Sequence, residues 1–259
     1  MKKDKTYYEQ EASYEEYLDF YKKQDLPTYE KPSLTVDGVV YGLNSSGKLS
    51  VVLIKRKSHP FQGCFALPGG FVEPNEPVGD AIIRELEEET DLKISPEQVE
   101  QLATFSGAHR DPRTWVVSVA HLIFLRRSQL KQLKAGDDAA EVFLGEVDFK
   151  TGSISVDGVP VPDEQFAFDH REILNTSISR IIGHVDWNPN FLEVLGDDYC
   201  EFSIKEAVSV INQVERGLDK PPIRTNNFLD KYKDFVQEVG TRKIPTSYKP
   251  VKIYKMLSR

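Results

Sequence analysis

Two β-branched apolar runs, Ser33 to Leu43 and Leu49 to Lys57, flank the polar stretch Asn44-Ser45-Ser46-Gly47, a pattern that predicts a β-hairpin. Trp115 to Leu125, WVVSVAHLIFL, alternates too little for a sheet edge and reads as a central strand. Val147 to Val161 predicts a further hairpin, turning at Thr151-Gly152 and interrupted at Asp157-Gly158. Two segments carry helical periods instead. Val78, Ala81, Ile82 and Leu86 share one face of a helix beginning near Pro77, and Ile173, Leu174, Ile178, Ile181 and Ile182 recur behind Asp169, the expected cap. Strands, helix, strands, helix is the order of a mixed sheet with helices on its faces, so the fold class is α/β.

The two ends differ from this middle. Tyr7, Tyr14, Tyr17, Leu18 and Tyr21 predict a helix over 6–21 whose aromatic stripe packs on the body or on a second subunit. Beyond Trp187-Asn188-Pro189-Asn190, Phe202-Ser203-Ile204 leads into a helix to about Arg216. A second helix is expected from Asn227 to about Val239, then a hairpin from Lys243 to Met256 around Pro245-Thr246-Ser247. Helix, helix, hairpin is the outline of a winged helix-turn-helix. The chain therefore divides into an N-terminal helical extension (1–32), an α/β domain (33–187) and a winged-helix-like domain (188–259).

Charge sharpens the last boundary. The net charge of −8 is uneven: residues 220–259 hold 10 Lys/Arg against 3 Asp/Glu, or +7, and the remainder is −15. A basic end on an acidic protein permits a DNA surface there and argues against general polyanion coating. No apolar stretch approaches the ~20 residues that cross a bilayer, and MKKDKTYYEQE has no signal-peptide core, so a cytoplasmic protein without membrane contact is expected. Cys64 and Cys200 lie far apart and form no metal-ligand cluster, and Cys64 reads as a small buried apolar side chain.

The chemistry concentrates between Leu67 and Leu92. In Arg84-Glu85-Leu86-Glu87-Glu88-Glu89, Glu85, Glu88 and Glu89 stand at i, i+3 and i+4 and share one helix face. Three carboxylates repel unless neutralised, and a hard divalent cation with oxygen ligands such as Mg²⁺ suits them, completed by water and phosphate. Arg84 can orient a carboxylate and add positive charge. Gly69 and Gly70 let backbone approach closely. Such a site suits pyrophosphate chemistry. Glu73 and Glu87 belong to solvent.

These residues resemble the Nudix box, G-x5-E-x7-R-E-U-x-E-E-x-G-U with U aliphatic, from Gly70 to Leu92; Asp91 stands in place of the last glycine. The resemblance to this MutT-like family implies an α/β/α sandwich and hydrolysis of a nucleoside diphosphate linked to another group. It also implies Mg²⁺ or Mn²⁺ on Glu85, Glu88 and Glu89 with the carbonyl at Gly69. Arg110-Asp111-Pro112-Arg113, Asp138-Ala139-Ala140-Glu141 and Phe166-Ala167-Phe168-Asp169-His170 resemble blocks of the ADP-ribose-type branch that carries a C-terminal winged helix. That branch includes transcriptional regulators of NAD or sugar metabolism. It supplies an alternative: a ligand-sensing regulator binding DNA as a homodimer. Leu229-Asp230-Lys231-Tyr232-Lys233-Asp234 replaces the consecutive basic residues of those regulators, which weakens the DNA reading, and the intact carboxylates favour an enzyme.

Within this branch Arg110 and Arg113 are expected on substrate phosphates, although a structural salt bridge with Asp111 explains them equally well. Phe61 is a loop aromatic that packs or stacks on a base. Glu141 or Asp111 could act as general base. His170 reads as a helix-start residue.

Overall fold

The computed structural model describes residues 5–23, 30–133, 139–196, 201–243 and 248–257. It forms two compact units, Met1–Lys31 and Pro32–Arg259. In the first, the single helix expected over 6–21 is two: α1 (Lys5–Gln10) and α2 (Tyr14–Lys22). The break lies at Ser13, whose hydroxyl accepts the Glu16 N–H while the Glu16 carboxylate accepts the Ser13 N–H, a reciprocal cap that starts a new helix. Tyr8 stacks on Phe20 at 4.0 Å between ring centres, and none of the helical residues is buried.

The second unit is built on a nine-stranded mixed sheet. β1 (Ser33–Leu43) and β2 (Leu49–Arg56) form the expected hairpin, closed by Asn44, whose side-chain oxygen accepts the Ser46 and Lys48 N–H groups. Two short strands, β3 (Phe65–Ala66) and β4 (Gly69–Phe71), pair with β2 and β1. Then follow α3 (Val78–Thr90), β5 (Val99–Phe105), β6 (Val116–Phe124), the short α4 (Arg127–Leu130), β7 (Ala139–Val147), β8 (Ile154–Val156), β9 (Val159–Pro160) and α5 (His170–His184). The spatial order is β5-β6-β1-β2-β7-β8-β9. β6 lies inside the sheet, parallel to β1 over nine paired positions. The hairpin expected at 147–161 is a meander of β7, β8 and β9, with Asp157 and Gly158 turning the second corner at positive φ.

Alternation along β1 decides which helix covers which face. Val36 and Val40, with Val52 and Ile123, meet Ala81, Ile82 and Leu86 of α3. Val39, Tyr41 and Leu43 point the other way, into a cluster with Ile173, Leu174, Ile178 and Ile181 of α5. The result is an α/β/α sandwich. Burying Leu86 or Ile82 in full contributes roughly 1.5–3 kcal/mol each, enough to hold α3 at a fixed rotation and so to fix where its acidic face looks.

β10 (Phe202–Ser203), α6 (Ile204–Glu215), α7 (Phe228–Tyr232), β11 (Val236–Arg242) and β12 (Val251–Met256) complete the chain, with strand order β10-β12-β11. Ser203 and Glu206 cap α6 reciprocally. The second helix is much shorter than expected. The Phe235 N–H closes on the Tyr232 carbonyl, and Val236 to Arg242 then run along β12 with a bulge at Val239, because β-branched residues and Gly240 favour the ladder over another helical turn. The hairpin's first arm accordingly precedes Lys243. Asp138, Cys200 and Pro245-Thr246-Ser247 lie outside the described residues.

The cluster beneath α5 does not stop at residue 187. Phe191, Leu192, Phe202, Ile211, Val214, Phe228, Tyr232 and Tyr254 belong to it together with Val39 and Tyr41. Gln213 of α6 adds polar stitches, accepting the Leu49 N–H and donating to the Gly47 carbonyl, each at 2.9 Å. Among the described residues no helix is long and apolar enough to cross a membrane.

Candidate active site

A cleft of about 590 Å³ opens where β1, β4 and α3 meet. Its acidic wall is Glu85, Glu88 and Glu89, placed on one side of α3 by the apolar clamp on the other. Helix α3 starts one residue after Pro77 and ends at Asp91, which adopts φ 59° and ψ 20°. That left-handed cap is the conformation a glycine would take there, and aspartate is among the few other residues that tolerate it.

Arg84 organises the wall. Its guanidinium grips both oxygens of Glu76 (Nε–Oε1 2.8 Å, Nη2–Oε2 2.9 Å), reaches Glu85 at 2.8 Å and Glu88 at 3.2 Å, and donates to the Phe71 carbonyl at 3.0 Å. Hydrogen bonds from Arg84, then from the Glu73 N–H, hold the Glu76 carboxyl down at about 2. Glu85 behaves oppositely: burial raises its pKa, Arg84 opposes the rise, and the Glu88 and Glu76 charges add to it. Glu89 is 9% exposed and accepts the Gly69 N–H at 2.8 Å.

The glycines fit this arrangement closely. Gly69 sits at φ 154°, and a Cβ there would lie 2.1 Å from the Val36 carbonyl oxygen. A Cβ on Gly70 would meet the Glu85 carboxylate at 2.4–2.5 Å. As placed, the carboxylates share a wall without converging on one point, and among the described residues no three acidic, imidazole or thiol side chains form a metal-ligating group. The donor set nevertheless suits a hard dication: hard oxygen ligands, a desolvated Glu85 lacking a full counter-charge, and backbone pressed against it where a side chain would intrude.

The opposite wall is cationic and aromatic. Arg113 is clamped by both oxygens of Asp111 (Nε–Oδ1 3.0 Å, Nη2–Oδ2 2.7 Å), and Asp111 also accepts the Arg113 N–H. Burial opposes the Asp111 charge, but these bonds outweigh it and hold the carboxyl below its ordinary range. Arg110 lines the cleft while its buried guanidinium is bound by Asp169 (2.6 and 2.8 Å) and by Asp37 at 3.3 Å. Asp169 occupies the cap position of α5, but its carboxylate goes to Arg110 instead of capping the helix. Phe61 packs edge-on against Phe168 at 4.9 Å between ring centres and is not part of the lining, whereas Phe168 is. Glu141 is exposed on β7, also outside the lining, and Cys64 is half-buried beside Ile54, Ala66 and Ala167.

Beneath the cleft lies a buried group that residue-by-residue reading missed. Asp37 receives hydrogen bonds from Ser118 and Arg110, and the Nε2 of His170 stands 3.3 Å away. The His170 Nδ1 accepts the Leu67 N–H at 2.8 Å, which places the ring proton on Nε2, facing Asp37. His170 therefore does more than begin a helix: it ties α5 to the turn carrying Gly69. Burial works against the Asp37 charge, but His170, Ser118 and Arg110 more than offset it, and the pKa falls from 3.8 to about 2. A depressed carboxylate stabilises the fold above its unfolded pKa and loses that contribution as pH falls. Urea unfolding should thus lose roughly 2 kcal/mol on this account between about pH 4 and pH 2, a share of the acid slope that Asp37→Asn lacks.

The sequence model of the NUDIX domain matches residues 33–166, just over half of the chain. The chain belongs to the Nudix family. Within it, this Nudix protein is 39% identical over 156 residues to the ADP-ribose pyrophosphatase of Methanocaldococcus jannaschii, covering 59% of this chain and 79% of that protein. It is 30% identical over 173 residues to the ADPR responsive transcriptional repressor NtrR of Acinetobacter baylyi, covering 66% of this chain and 61% of the repressor, less than two thirds of its length. The crystal structure of a MutT/nudix family protein from Enterococcus faecalis superposes with a TM-score of 0.81 at 37% identity, covering 97% of this chain and 96% of that one. The likeness to that structure, unlike the family match, extends through the C-terminal strands and helices.

Proposed function

We propose that this Nudix protein is a metal-dependent pyrophosphohydrolase that cleaves a nucleoside diphosphate linked to a second group, ADP-ribose or a near relative. The observation that carries the reading is Arg84 gathering Glu76, Glu85 and Glu88 on a cleft wall completed by Glu89 and Gly69. The relative at 39% identity supports the substrate class.

In this reading Glu85, Glu88, Glu89 and the Gly69 carbonyl hold Mg²⁺ or Mn²⁺, which supplies concentrated positive charge for phosphate oxygens. Arg84 orients Glu85 and Glu88 and keeps part of their charge compensated. Arg113, held in one orientation by Asp111, faces the substrate across the cleft as a preorganised donor. Arg110, bound by both Asp169 and Asp37, frames the same wall with its charge already compensated. Of the two general-base candidates, Asp111 is committed to Arg113 and Glu141 lies outside the cleft lining, so neither is assigned that role. Incubating the protein with Mg²⁺ and a nucleoside-diphosphate panel should release AMP from ADP-ribose; no cleavage of any member would refute the reading.

A second reading, a ligand-responsive transcriptional repressor acting as a homodimer through residues 188–259, draws support from the NtrR relative and from the winged-helix order of α6, α7, β11 and β12. Charge at α7 counts against it. Lys231 is bound by Asp186 at 2.5 Å and Glu215 at 2.6 Å, and Asp230 and Asp234 are exposed beside Lys233. Phosphate binding draws on uncommitted cations, and this short helix offers few. Salt-sensitive, dimeric binding to DNA upstream of the protein's own gene would favour the repressor.

A further inference from the structure

The cleft's acidic half accounts for the diphosphate, but its other half contains an aromatic side chain held in a costly way. Ala167 donates to the Phe65 carbonyl at 2.7 Å, His170 donates to the Ala167 carbonyl at 3.1 Å, Asp169 grips Arg110, and His170 is fixed between Leu67 and Asp37. Phe168 sits at the first corner of the turn so formed, with φ 51°, and Asp169 follows at φ −100° and ψ 21°. Turns with this sign at the first corner ordinarily place glycine there, and a bulky residue in left-handed backbone is a true outlier. Strain of this kind gathers where a side chain must be displayed.

What Phe168 displays is a half-buried ring lining the cleft. The Arg56 and Arg113 guanidinium carbons lie 5.0 and 5.8 Å from the ring centre, and Arg113 is also 5.5 Å from the Phe71 ring. Phe61, itself at φ 60°, braces Phe168 edge-on. Aromatic ring, anchored guanidinium and second aromatic ring together make a wall suited to a flat, polarisable group, because both ring faces and guanidinium planes stack on heteroaromatic bases.

We infer that Phe168, with Arg113, is the face that holds the base of the nucleoside diphosphate, and that Phe61 braces this face instead of stacking on the base itself. The inference rests on the proposed nucleotide substrate and adds which part of the molecule each half of the cleft takes.

The test compares AMP with ribose 5-phosphate, which share a phosphorylated ribose and differ in the base, by titration calorimetry on the full chain in Mg²⁺. The unaltered protein should bind AMP about tenfold more tightly. Phe168→Leu and Phe168→Gly should each bring AMP affinity to within about twofold of ribose 5-phosphate, while ribose 5-phosphate binding stays unchanged. Because glycine relieves the turn, Phe168→Gly should lose this preference without a lower melting temperature; Phe168→Leu, which keeps apolar bulk, answers the question if the glycine variant folds poorly. Equal AMP and ribose 5-phosphate affinity in the unaltered protein would overturn the inference, and so would a preference that survives Phe168→Leu. If AMP binds through Phe168 but no panel substrate is cleaved, the hydrolase reading fails and the base face stands.

Discussion

Glu88→Gln is expected to slow pyrophosphate cleavage at least tenfold while leaving the protein's melting temperature nearly unaltered. Glu88 has 58% of its side chain exposed and is tied to Arg84 by a 3.2 Å bond. Exchanging an oxygen for an amide keeps shape and helix propensity and removes one negative charge from the wall that must neutralise a dication. Electrostatic groups of this kind typically carry a few kcal/mol of transition-state stabilisation. The control is Glu87→Gln on the next position of the same helix, where the contact is a loose 3.9 Å pair with Lys93 and no change in rate is expected. A steady-state assay at several Mg²⁺ concentrations reads both; full activity in Glu88→Gln would remove the acidic wall from the mechanism.

The second large effect separates architecture from chemistry at two adjacent glycines. Gly69→Ala places a methyl 2.1 Å from the Val36 carbonyl oxygen and 2.9 Å from the Asp37 Cα, on backbone already at φ 154°. Those neighbours belong to β1, paired here with β4 itself on one side and fixed by the interior strand β6 on the other, and cannot yield. The expected loss is about 2–4 kcal/mol of stability in urea unfolding. For Gly70→Ala the nearest atoms are instead those of the Glu85 carboxylate. A side-chain end can swing away, so the fold should survive with a small change in stability while the displaced Glu85 takes most of the activity with it. Parallel unfolding and rate measurements distinguish the two outcomes, and equal stability losses in both variants would contradict this account.

What could be read from residues alone follows the range of the interactions involved. The acidic face of α3, the β1–β2 hairpin and the interior placement of β6 depend on short periods and on a turn, which are local properties. Asp91 is similar: it stands where the motif has glycine, the residue that most often takes a left-handed helix end. The second C-terminal helix failed because Val236 to Thr241 can serve either period, and only the partner strand β12 decides between them. Arg110 illustrates a different limit, since its commitment to Asp169 joins positions 59 residues apart. Asp37 did leave a trace, a lone acid inside the buried run Val36-Asp37-Gly38-Val39, where an unpaired charge would be prohibitive. Phe168 stood within a block that resembles the ADP-ribose-type branch, but its display did not show, because the sign of a backbone angle is invisible in a string of letters.

The apolar cluster joining Val39 to Tyr254 bears on how the protein comes apart. Since Phe202, Ile211 and Tyr232 are covered by the same interior that supports α5, heating should give one calorimetric transition for residues 32–259. A chain cut after residue 187 would lay bare the underside of its own sheet and precipitate before its catalytic competence could be assayed.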